Sequence, residues 1–190
     1  MNTINGVEAL QTWLHQEGID TSTWGKSQAK SIYSLWEELE HGEVVLHKRP
    51  PLREVEVVQV VIRRNDKVLL EIQQELGNGV FRSRNIFPSE KLRSGEDYLE
   101  AAKRGLQEEM NLDPQEVTFV RDSYEKRRTT ISSPSYPNLP TRYTIHKIEA
   151  AVSDLPTTDF WCANDGQAEG DPVKQHCWGW RREEELVILS

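Results

Sequence analysis

Apolar residues first recur at helical spacing. Leu10, Trp13 and Leu14 fall at i, i+3 and i+4, which predicts one apolar helix face, and Gly18 follows as a stop. A second stripe of Ala29, Ile32, Leu35, Trp36 and Leu39 predicts a helix from near Ser27 to about His41, ended by Gly42. The two form a helical hairpin whose stripes need a surface to cover them. That surface is either the body of the same domain or a second molecule, in which case residues 1–50 are a dimerisation or partner-binding element. Lys48-Arg49-Pro50-Pro51 then breaks the pattern and predicts a boundary between a helical extension, 1–50, and a domain over 52–190.

Beyond that break the chain reads as strands. Glu54–Arg63 is β-branched and partly alternating, and Asn65-Asp66 turns it into Lys67–Gln73, so a hairpin is expected. Gly77-Asn78-Gly79 leads to a short strand around Val80–Arg82, and residues 96–110 form the next helix. Further strands at Val117–Ser123 and Tyr143–Val152 flank the Ser/Pro-rich segment Ser132–Pro140, and Trp180–Leu186 suggests a terminal helix or turn. Many strands and few helices behind a helical preface make an α+β chain, with a mixed β-sheet flanked by helices.

Composition narrows the classes. At 190 residues and 22.0 kDa the chain fits one domain with a short extension. A net charge of −8 and a pI near 5.2 argue against a general nucleic-acid or membrane-surface binder, whose footprint would be basic. The mean hydropathy is −0.67, and no apolar run approaches the roughly 20 residues of a membrane span. The start, MNTINGVEALQTWLHQ, has no Lys or Arg and no apolar core, so it does not read as a leader, and a cytoplasmic protein is expected. Cys162 and Cys177 lack CxxC spacing and read as two reduced, packed thiols rather than a disulfide; with His176 they still lack a fourth zinc ligand.

The segment Phe87–Leu112 carries the chemistry. Ser94-Gly95 makes a turn, and either residue could cap a helix whose first turn holds Glu96 and Asp97. Leu99, Ala102, Leu106 and Met110 supply its apolar side, leaving Arg104, Glu108 and Glu109 largely off it. Adjacent carboxylates near a helix C-terminus repel each other and the macrodipole, and a hard divalent cation would relieve that repulsion. The alternative is a solvated pair, with Arg104 bridging to Glu108 at i, i+4.

This segment resembles the signature of the Nudix hydrolase family: a Gly, five residues, Glu, seven residues, then Arg-Glu-aliphatic-x-Glu-Glu-x-Gly-aliphatic. Glu96, Arg104, Leu106, Glu108, Glu109 and Leu112 match it, and Pro88, Lys91 and Ser94-Gly95-Glu96 are similar to the family's loop. Three positions depart: Glu90 stands for the first Gly, Gly105 for the first helix Glu, and Asn111 for the last Gly. With the strand pattern on either side, the resemblance covers roughly 52–188 and implies a Nudix-like mixed sheet. It also implies that helix glutamates hold Mg²⁺ or Mn²⁺ for hydrolysis of a phosphoanhydride by activated water. Glu108 and Glu109 are then the metal ligands, with Glu96 an outer one. Glu109, or an acid from another loop such as Glu149, Glu169 or Asp171, is the general base. Gly105 leaves a gap that no neighbouring acid obviously fills, since Glu100 points elsewhere on the helix, and Arg104 takes Glu108 as its partner.

Around this segment Arg82, Arg84, Lys91 and Arg93 would suit a phosphorylated ligand, or else are solvated loop charges. Arg121, Lys126, Arg127 and Arg128 read as a solvated hairpin. Tyr136, Trp161, Trp178 and Trp180 could stack on a base but read first as core or lid, and His146 and His176 as structural. Two functions stay open. One is a metal-dependent hydrolase of a nucleoside diphosphate linked to another moiety. The other is a catalytically impaired Nudix-fold domain that binds a phosphorylated metabolite or a protein partner in a regulatory role.

Overall fold

The periodicities resolve into three helices and nine strands in a computed structural model, which describes residues 4–26, 29–164 and 173–185. The helices are α1 (Val7–Gln16), α2 (Ile32–Glu40) and α3 (Tyr98–Met110). The strands are β1 (Val44–Lys48), β2 (Pro51–Arg64), β3 (Lys67–Leu76), β4 (Phe81–Ile86), β5 (Ser89–Lys91), β6 (Val117–Ser132), β7 (Pro140–Val152), β8 (Phe160–Ala163) and β9 (Val173–Arg182). Strand pairing runs β6-β7-β2-β3-β9-β8, with β1 and β5 also on β2 and β4 on β3. Pairs β1–β2, β2–β3, β3–β4, β3–β9 and β8–β9 are antiparallel. The ion pairs Glu54–Arg142 and Arg63–Glu149 advance together along β2 and β7, as they do between parallel neighbours, so the sheet is mixed.

Several elements differ from their expected form. Lys48-Arg49-Pro50-Pro51 forms the tip of a hairpin in which Val44 faces Val55 and Lys48 faces Pro51. α2 starts at Ile32 because Ser31 caps it, its Oγ accepting from the Ser34 N–H at 3.1 Å; Ala29 precedes the helix, and Ser27 lies outside the described residues. β6 runs on to Ser132, which puts Arg121, Lys126, Arg127 and Arg128 along one exposed strand. β9 continues to Arg182 before a 3-10 turn at Glu183–Glu185; Leu186 lies outside the described residues. Among the described residues no helix is long and apolar enough to cross a membrane.

The chain divides into two units. One comprises 1–57, 91–96 and 127–145, the other 58–90, 97–126 and 146–190. In the first, Leu10, Leu14 and Leu35 are fully buried with Val44, Val55, Tyr136 and Leu139, so the helical stripes are covered by this chain's own residues. Burying each large side chain contributes about 1.5–3 kcal/mol. The Ser/Pro-rich segment is held the same way: Trp24 donates to the Pro137 carbonyl at 3.0 Å, and its ring lies 5.1 Å from that of Tyr136. One polar residue breaks the pattern. Glu38 is buried and gathers Lys30 (2.8 Å), Lys91 (2.8 Å) and Arg53 (2.7 Å), while the Arg53 guanidinium covers the Tyr136 ring at 4.8 Å. In the second unit Val61, Val68 and Leu70 form a core with Ile72 and Phe87 packed on it.

Candidate functional site

The signature helix is α3, and its ends are built from local chemistry. Asp97, rather than Ser94 or Gly95, caps it: its carboxylate accepts from the Leu99 N–H at 2.7 Å, and the Asp97 N–H donates to Glu100 Oε2 at 3.0 Å. Gly95, at φ +81°, serves the preceding turn instead. This capping box also explains why Glu100 is absent from the acidic face. Asp97→Ala is expected to cost about 1 kcal/mol, seen as a lower midpoint in urea unfolding at neutral pH. At the other end Asn111 adopts the left-handed conformation, φ 55° and ψ 33°, so the departure from Gly there keeps the helix stop. Two late side chains serve carbonyls of the last turn: Trp178 donates to Glu109 O at 3.4 Å and Cys162 lies 3.9 Å from Met110 O.

Ala101, Ala102, Leu106 and Met110 are buried, and Gly105 is buried with them for a steric reason. A Cβ at 105 would stand 2.7 Å from the Glu90 Cβ and 3.1 Å from its Cγ, so no other residue fits while Glu90 is there. The space beside Gly105 is occupied by the side chain of Glu90, from β5. Glu90 Oε1 pairs with Arg104 Nη1 at 3.1 Å, and the expected Glu108 contact to the same atom is 3.5 Å. Glu90, Gly105 and Glu109 line a crevice with Val58, Val60 and Leu106, with room on the order of one water molecule. Such a space is far too small for a nucleotide. A helix-interior Gly costs about 1 kcal/mol against Ala.

Among the described residues no three His, Cys, Asp or Glu side chains already close into a metal-holding set. The Glu90 carboxylate approaches the place where a side chain at 105 would begin, its Oε2 lying 3.5 Å from that Cβ position. Glu96, in the first unit, closes its own turn by accepting from the Arg93 N–H at 2.8 Å. Of the basic candidates, Arg82 donates to Gln74 Oε1 (2.9 Å from Nε), and Arg84 pairs with Glu71 at 3.1 Å. In the first unit, Lys91 pairs with Glu38 (2.8 Å) and Glu43 (2.7 Å). Burial works against the Lys91 charge, but Glu38 and then Glu43 outweigh it and raise its pKa.

The remaining candidates have structural partners. Glu149 holds Arg63 Nε at 2.8 Å, while Glu169 and Asp171 lie outside the described residues. His176 Nδ1 contacts Glu71 Oε1 at 2.6 Å and its ring stacks on Trp178, and His146 bonds the Tyr124 hydroxyl at 3.0 Å and stacks on Tyr98. Burial resists ionisation of Glu71, but the His176 bond and the Arg84 charge prevail and lower its pKa. Tyr136, Trp178 and Trp180 are core residues, whereas Trp161 is 42% exposed and meets Phe81 edge to face. Cys162 and Cys177 are not joined in a disulfide, as expected.

The NUDIX domain model matches residues 52–178, and the chain belongs to that family. Among solved structures the chain is similar to a C. elegans Ap4A hydrolase, at 16% identity over 68% of this chain and 80% of that one, with a TM-score of 0.38. It is also similar to the E. coli ORF135 protein (20%, 70% and 76%, TM-score 0.37) and to a NUDIX hydrolase from Nitrosomonas europaea (19%, 65% and 70%, TM-score 0.36). No curated protein matches the chain.

Proposed function

We propose that the chain hydrolyses the phosphoanhydride of a nucleoside diphosphate linked to another moiety, in a reaction that depends on Mg²⁺ or Mn²⁺. The observation that carries this reading is the Arg104–Glu108 pair on α3, with Glu109 beside it, at the spacing of the family signature. Glu108 and Glu109 hold the cation. Bound there, the cation would supply Lewis acidity toward phosphate oxygens and water. Glu109 takes the proton of the attacking water, and Arg104 orients Glu108. Arg82 and Arg84 receive the diphosphate charge, Arg84 being held by Glu71. Two cysteines outside any disulfide suit a cytoplasmic protein.

Retained binding without turnover is the second reading. The glycine at 105 and the absence of a preformed three-acid cage among the described residues favour it. A product-release screen over a panel of nucleoside diphosphate conjugates, with Mg²⁺, Mn²⁺ or EDTA, separates the two. Release that needs the cation is the expected result. A conjugate that raises the melting temperature without being cleaved would replace the hydrolase reading with the binding one.

A further inference from the structure

A carboxylate and a guanidinium commonly meet fork to fork, two oxygens against two N–H groups. Arg181 and Asp159 do so in the second unit, with Nη1 2.8 Å from Oδ1 and Nη2 2.7 Å from Oδ2. Arg84 and Glu71, in the same unit, do not. Arg84 donates to Glu71 Oε2 through Nε alone, at 3.1 Å, and its two Nη groups have no partner among the described residues. The other oxygen, Oε1, is taken by His176 Nδ1 at 2.6 Å. Glu71 and His176 are 5% and 4% exposed, whereas Arg84 is 33% exposed, so only the arginine is open to a ligand.

Burial opposes the Glu71 charge, but the His176 bond and Arg84 hold its carboxyl below the usual range. An ionised carboxylate only accepts, so Nδ1 carries the proton and donates it. His176 Nε2 is left buried with no hydrogen-bond partner among the described residues, which is a cost to the fold. A phenyl ring could stack on Trp178 as the imidazole does without that cost, so ring packing does not account for a histidine here.

We propose that His176 keeps the Arg84 fork open for a phosphoryl group: by occupying Glu71 Oε1 it limits Glu71 to the Arg84 Nε, and the two Nη groups are left to receive a pair of phosphoryl oxygens. Arg84 is the residue that touches the ligand, and Glu71 and His176 are positioning residues that act through it. Without the Nδ1 donor, Glu71 has two oxygens to offer. The pair then closes fork to fork, as Arg181 and Asp159 do, and the arginine is withdrawn from the ligand. The inference rests on the hydrolase reading for the identity of the anion and deepens it by assigning the residue that sets the receptor's geometry.

Calorimetric titration of inorganic pyrophosphate into the full chain, at low salt and with EDTA present, tests this apart from any cation or turnover. Arg84→Gln is expected to weaken pyrophosphate about tenfold or more, the loss of charge-assisted hydrogen bonds. That variant sits on a side chain one third exposed, so it reads the fork without disturbing the core. His176→Phe, which keeps a ring on Trp178 and removes the donor, should weaken binding at least about threefold. His176→Asn, whose amide nitrogen takes the place of Nδ1, should hold native affinity to within about twofold. Arg84→Gln combined with His176→Phe should bind no worse than Arg84→Gln alone, because the histidine acts only through the arginine. Native affinity in Arg84→Gln or in His176→Phe, or an equal loss in His176→Asn and His176→Phe, would overturn the inference. Cleavage of a conjugate by a native chain that binds no pyrophosphate would overturn it and leave the hydrolase reading standing. The expected binding pattern with no conjugate cleaved would leave the fork in place and remove the hydrolase reading. A native chain that does neither would overturn both.

Discussion

Replacing Glu38 with alanine is expected to cost about 3–5 kcal/mol of stability, seen as a lowered midpoint in urea unfolding at pH 7. The size follows from what remains behind. Glu38 and Arg53 are 5% and 3% exposed and meet at 2.7 Å. Without the carboxylate, a buried guanidinium faces the Tyr136 ring, and its Nε and Nη1 already have no hydrogen-bond partner. Lys30 and Lys91 are 44% and 26% exposed, so water can take over much of their share. Glu38→Gln, which keeps the shape but removes the charge, should fall between the native chain and the alanine variant.

The same cluster sets an acid limit. Burial opposes the charge on Glu38, but Lys91, then Arg53 and Lys30, outweigh it and hold its carboxyl far below the usual carboxylate range. A group depressed in the folded state contributes stability above its unfolded value, and that contribution fades as pH falls toward the folded one. The native chain should therefore lose stability progressively below about pH 4.5, the ordinary glutamate value, and the alanine variant should show a flatter acid limb. Equal slopes in both chains would remove Glu38 from the acid response.

Glu109→Gln should carry the largest kinetic effect, a drop of about 10²–10⁴ in kcat if Glu109 is the general base. The change is close to isosteric, and the bond from Trp178 goes to the Glu109 carbonyl, which the substitution leaves in place. The melting temperature should accordingly hold while turnover falls. Full activity in this variant, measured on the conjugate that the native chain cleaves, would take Glu109 out of the mechanism.

Much of this arrangement was legible along the chain because it is local. The helical stripes of α1 and α2, the β2–β3 hairpin at Asn65-Asp66 and the spacing of Arg104, Glu108 and Glu109 depend on periods of a few residues. The capping box was legible too, as Asp97 followed three residues later by Glu100, but Ser94-Gly95 gave a competing turn signal just before it. β8, four residues without a clean alternation, offered no period to read.

What tertiary structure alone decided are contacts between residues far apart in sequence. Glu90 and Gly105 were visible as two departures, yet nothing in either residue type says that they touch. Glu38 sits on a helix where a charge is ordinarily solvated, and Arg53, Lys91 and Lys30, brought in by other segments, make its burial tolerable. Residue type and spacing encode local conformation and the chemistry a side chain offers. Which carboxylate meets which cation, and which is left facing a crevice, is set when distant segments pack, because charge and volume are satisfied by neighbours in space rather than along the chain.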